Sequence, residues 1–108
     1  MMSIEIVSNE QLRLLDELRR LLNKQMSLVR KSDLRAFETL AEQSGKIVDE
    51  LGRTSVSEPI EFREQFEQLI ELYQQIILMA EVEKDRLKRQ LQQLGQGRKT
   101  LKAYRGRG

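Results

Sequence analysis

Residues 57–94, SEPIEFREQFEQLIELYQQIILMAEVEKDRLKRQLQQL, decide the fold. Pro59, the only proline, stands at the entrance, and no glycine interrupts the run before Gly95. Phe62, Phe66, Leu69, Tyr73, Ile76 and Ala80 follow one another in steps of four, three, four, three and four. That spacing keeps one face of a helix apolar. At about 1.5 Å per residue the segment is about 55 Å long. Propensity alone gives so charged a helix little stability, so its stripe must be buried against neighbours. The rest of the chain supplies them.

Upstream, Met1–Val7 is uninformative, although Ile4, Ile6 and Val7 offer apolar cover. Ser8 with Gln11 has the form of a capping box, and Val7 with Leu12 the spacing of a hydrophobic staple. Leu12, Leu15, Leu18, Leu22, Met26 and Val29 then line one face, widened by Leu14, Leu21 and Leu28. So broad a face suits a bundle with more than one neighbour. The phase breaks at Lys31-Ser32-Asp33, and the next set is Leu34, Phe37, Ala41, Ser44, Val48 and Leu51. Asp33 or Ser32 can cap a new helix. The break reads as a tight helix–helix turn, with a kinked continuous helix as the alternative, because no Gly or Pro forces a reversal. Gly52 suits a left-handed cap ending the second helix, Arg53–Glu58 a loop, and Ser57 a cap for the third, with Pro59 in its first turn.

The expected fold is therefore all-α. It is an antiparallel three-helix bundle, or helical hairpin, with one long C-terminal helix and a mobile basic tail. The helices are expected near 9–31, 33–51 and 57–94, in a single domain of residues 1–94 with a flexible tail at 95–108. The expected core is Leu15, Leu22, Phe37, Val48, Phe66, Leu69, Tyr73 and Ile76. The 33% charged and 5% aromatic composition agrees with helices rather than a sheet.

The same composition excludes much chemistry. With no His and no Cys, imidazole and thiolate nucleophiles and His/Cys metal sites cannot form. The carboxylates lie along polar helix faces near Lys or Arg, which reads as solvation. No enzyme, cofactor or metal is expected. Cysteine is absent, no run approaches a membrane span, and Met1–Asn9 lacks a signal-peptide core, so a cytoplasmic protein is expected.

Ile76-Ile77-Leu78-Met79-Ala80 is apolar all round the third helix. Ile70 with Ile77 forms a second stripe, and Leu72 with Met79 a third, which one intramolecular seam cannot cover. Two readings stay open: the first two helices flank the third and cover everything, or the surplus is a partner groove or homodimer face. Beyond Val82, a charged girdle leaves only Leu87, Leu91 and Leu94 on an apolar line. Gly95-Gln96-Gly97 is expected to break the helix. The remaining tail holds Arg98, Lys99, Lys102, Arg105 and Arg107 and no acidic residue.

The leucine-rich first helix (Leu14-Leu15, Leu18, Leu21-Leu22), the Ser32-Asp33-Leu34 junction and a second helix with Leu40, Ile47-Val48 and Leu51 form a recognisable set. With the closing Leu101-Lys102-Ala103-Tyr104 followed by glycines, they resemble flagellar export chaperones of the FlgN/FliT type. The resemblance implies a cytoplasmic, non-catalytic helical protein. Such a protein binds the C-terminal helical end of a hook-associated or filament-cap protein and delivers it to the export apparatus. A client helix would then lie on Ile70, Ile77, Met79, Leu87 and Leu91, a helix-in-groove contact. By the same resemblance Tyr104, with Leu101, Arg98, Lys99 and Lys102, would dock the loaded complex on an export-gate component. Two rivals remain: a structural coiled-coil homo-oligomer, and a nucleic-acid binder using Arg105-Gly106-Arg107-Gly108 beside Tyr104.

Overall fold

The computed structural model describes the backbone of residues 8–105 and the side chains of residues 8–95. Helix α1 spans Asn9–Arg30, α2 Leu34–Thr54 and α3 Ile60–Arg105, with a short 3₁₀ turn at Ser55–Ser57 before α3. The helices run up, down and up, as an antiparallel bundle whose third member is much the longest.

Ser8 starts α1 as expected: its hydroxyl accepts the Gln11 N–H at 3.1 Å. The Gln11 side chain does not complete the box. It turns to α2, where its Oε1 accepts from the Thr54 hydroxyl at 3.0 Å. At the other end of α1 the chain reverses in three residues, so the turn is confirmed over the kinked helix. Asp33 N–H donates to Leu28 O at 2.9 Å and Ser32 N–H to Val29 O at 3.0 Å, the hydrogen-bond pair of a Schellman cap. Ser32 takes the left-handed conformation there, φ 59°, with no glycine present. Asp33 then caps α2, its carboxylate accepting from Ala36 N–H at 3.3 Å.

Three expected boundaries differ. Gly52 does not end α2: it is helical, and α2 continues to Thr54. Ser57 does not cap α3; its hydroxyl donates to Thr54 O at 3.1 Å, and the Pro59 carbonyl accepts the N–H of Arg63. Gly95 and Gly97 do not break α3, whose backbone stays helical to Arg105. An isolated glycine in a helix interior costs only about 1 kcal/mol, which flanking helix-formers such as Gln, Leu and Lys offset.

The core consists of Leu15, Leu18, Leu22, Val29, Phe37, Leu51, Phe62, Phe66, Leu69, Ile76 and Ala80. Of the expected core, Val48 and Tyr73 are only half-buried, closing the edges of this cluster. The broad leucine face makes α1 the hub. It buries Gln11, Leu15, Leu18, Leu21, Leu22, Gln25 and Val29, whereas α2 buries only Phe37, Ser44 and Leu51. α1 packs along both other helices, which meet each other little.

One polar layer crosses the α1–α2 seam. Gln25 and Ser44 are both wholly enclosed, and the Ser44 hydroxyl lies 2.8 Å from Gln25 Oε1 and 3.2 Å from Ala41 O. The Gln25 Nε2 has no partner. The ion pairs, by contrast, are mostly exposed i,i+3 contacts that add little stability.

Candidate functional site

The α1–α2 turn marks where the bundle stops. The Ser32 hydroxyl donates to Glu83 Oε1 at 2.6 Å, tying the turn to α3. Arg86 Nε reaches both Glu83 oxygens, at 3.0 and 3.1 Å, and its terminal nitrogen bonds the same carboxylate. Arg86 foremost, then Ser32, holds the Glu83 pKa down from 4.5 to about 2, so the carboxylate stays charged. One more contact, Lys84 Nζ to Glu38 Oε1 at 3.9 Å, lies beside this latch. From Leu87 onward α3 has passed the end of the hairpin and runs on to Arg105, about 28 Å of helix.

That extension keeps the seam's register. Phe66, Tyr73, Ala80, Leu87, Leu94 and Leu101 recur every seventh residue, first inside the bundle and then beyond it. Leu87 is half-buried at the rim, but Leu91 is 69% and Leu94 62% exposed. The same line that seats α3 on the hairpin thus continues past it, and Leu91 and Leu94 stay exposed.

The other expected client residues lie further back, along the bundle itself. Ile70 is half-buried against the core. Ile77 lies on the α2 flank, in a shallow depression with Leu34, Phe37 and Ala80. Met79, 37% exposed, lies on the α1 flank with Val29, Leu78 and Val82. Leu91, on the heptad position of Ile70 and Ile77, therefore adjoins the Leu87–Leu94 line, with Lys84 between it and Ile77, while Met79 lies on the other flank. Leu94 was read as part of the apolar line but not counted among the client residues, and Leu78 with Val82, an exposed i,i+4 pair beside Met79, was missed. For Arg98, Lys99, Leu101, Lys102 and Tyr104 the structure gives the backbone, which is helical; their side chains lie outside the described residues.

Among the described residues, no helix is long and apolar enough to cross a membrane, and no group of acidic side chains is arranged to hold a metal ion. The extension presents a leucine line at the spacing that suits packing against a second amphipathic helix.

A family model described as flagellar protein FliT matches residues 12–106, a span that takes in nearly all of α1 and the whole of α2 and α3. No curated protein and no solved structure matches the chain. The family match takes in the hairpin and the extension together, and the chain belongs to the FliT family of flagellar export chaperones.

Proposed function

We propose that the protein is a cytoplasmic chaperone that masks the C-terminal helical region of a hook-associated or filament-cap protein and hands it to the flagellar export apparatus. Membership of the FliT family supplies the class of activity. The observation that carries the surface is the uncovered continuation of the α3 seam at Leu87, Leu91 and Leu94. A client helix laid on that line buries leucines otherwise exposed to water, each contributing about 1.5–3 kcal/mol when fully covered. The flanking patches at Ile70 with Ile77, and at Met79, are secondary contacts for a client long enough to reach back along the bundle. Met79 suits that use because an unbranched thioether adapts to differing partners. Tyr104, with Leu101, Arg98, Lys99 and Lys102, is the docking element for an export-gate component.

The test is a titration of the full chain with the C-terminal fragments of hook-associated and filament-cap proteins. One of them binds, and Leu91→Asp with Leu94→Asp abolishes binding without moving the melting temperature, since neither side chain contributes to the core. Binding that survives both substitutions places the client elsewhere.

A further inference from the structure

The charge on α3 divides at the point where the helix leaves the bundle. All 17 acidic residues of the chain precede Leu87. From Leu87 to Arg105 the helix carries Lys88, Arg89, Arg98, Lys99, Lys102 and Arg105 and not one Asp or Glu. The two cations before them have partners, Lys84 near Glu38 and Arg86 on Glu83. Lys88 and Arg89 are exposed, beside the leucine line.

This asymmetry constrains what can lie on the line. Two copies of the extension packed line to line would bring their cations together without a single carboxylate, whichever way the helices ran. Like charges along a helix seam are a device against pairing. Nucleic acid would match the charge but leaves Leu87, Leu91 and Leu94 facing sugars and phosphates. An amphipathic helix with carboxylates beside its apolar stripe matches both features.

We propose that the α3 extension receives an acidic-flanked amphipathic helix of a protein partner, with the leucine line supplying the contact and the cations supplying partner choice and fast encounter. The proposal rests on the functional reading above and gives the chemistry that distinguishes a client helix from other helices. It also bars a second copy from that line while the chaperone is empty.

The experiment uses the full chain and three synthetic amphipathic peptides of three heptads, with Leu on the seam and Glu, Gln or Lys at the flanking positions. Binding is followed by fluorescence anisotropy. The Glu peptide binds about tenfold or more tighter than the Gln peptide in about 50 mM salt, and most of that margin is gone in about 500 mM salt. Lys88→Glu with Arg89→Glu erases or inverts the preference, and Leu91→Asp with Leu94→Asp removes binding of every peptide. Equal affinity for Glu and Gln peptides overturns the proposal. So does a single-stranded oligonucleotide that displaces the Glu peptide from the parent chain and still binds the chain carrying both Asp substitutions, or a dimer in sedimentation that Lys88→Glu dissolves. A natural client fragment that binds without preference among the peptides defeats this inference and leaves the proposed function standing. Preference for the Glu peptide with no hook-associated or cap fragment bound defeats the client assignment and leaves this inference standing.

Discussion

At the scale of single residues, two polar contacts show how much the packing asks of particular side chains. Ser32 occupies a left-handed position where glycine is the usual choice, and its hydroxyl explains the exception, because it bonds Glu83 on α3. Ser32→Ala keeps the backbone strain and loses the bond, so it lowers the urea midpoint, whereas Ser32→Gly relieves strain and loses less. Glu83 also makes the latch sensitive to acid. Its pKa is about 2 in the folded chain against an ordinary 4.5, so its contribution is complete above about 4.5 and is lost as pH falls from there toward 2. Thermal melts at pH 7 and pH 3 check this: Glu83→Gln melts lower at pH 7 and loses less than the parent chain on acidification. The second contact is the enclosed Gln25–Ser44 pair. Gln25→Leu removes an orphaned amide while Ser44 retains Ala41 O, and raises stability by about 1 kcal/mol. Ser44→Ala strands the whole Gln25 amide in the core and costs about 1–3 kcal/mol. Urea unfolding of the two variants gives opposite signs.

At the scale of elements, the long third helix is anchored by its first half only. Leu69 is buried in the core cluster, and Leu69→Ala costs about 2–5 kcal/mol in urea unfolding; a loss under about 0.5 kcal/mol removes Leu69 from the core. Gly52 sits in α2 with nothing within 4 Å of an added Cβ, so Gly52→Ala stabilises by about 0.5–1 kcal/mol through reduced freedom of the unfolded chain. The periodicity from Phe62 to Ala80 made α3 legible as a helix, and the seam residues it named are the buried ones, Tyr73 excepted. Where elements end was less legible. Gly52, Gly95 and Gly97 read as stops because glycine weakens a helix, yet helical hydrogen bonding on both sides carries the chain through them. The turn at Lys31–Asp33 was readable only as a phase break, since serine gives no warning of a positive φ.

At the scale of the whole molecule, the chain is a hairpin with one helix grown past it, and the buried core and the proposed binding line fall in different halves of that helix. Removing residues 87–108 takes away none of the core residues among the described side chains, so the truncated chain melts within a few degrees of the full one but binds no client helix. Calorimetry and the anisotropy titration together check this; a large drop in melting temperature would show that the extension folds back on the body. Tyr104→Ala belongs to the same scale. If the far end docks a loaded complex on the export gate, the substitution leaves client affinity unchanged and weakens gate binding about thirtyfold, the equivalent of about 2 kcal/mol.

The sequence by itself determined that the protein is helical and which stripe of α3 is buried; it marked a phase break at Lys31–Asp33 that the structure resolved as a reversal. Hydrophobic period and cap residues are local properties, written within a few turns of the chain. Its family resemblance was equally legible, carried by the leucines of the hairpin and the Ser32-Asp33-Leu34 junction. Only the tertiary structure decided which surplus apolar residues remain uncovered. Ile70, Ile77, Met79, Leu87 and Leu91 looked alike along the chain, but their exposure depends on where α1 and α2 stop. That limit is set by the α1–α2 turn, which Ser32 ties to Glu83, 51 positions along the chain. Burial is a relation between distant segments, and so the leucine line became a candidate site only once the length of the hairpin was known against the length of α3.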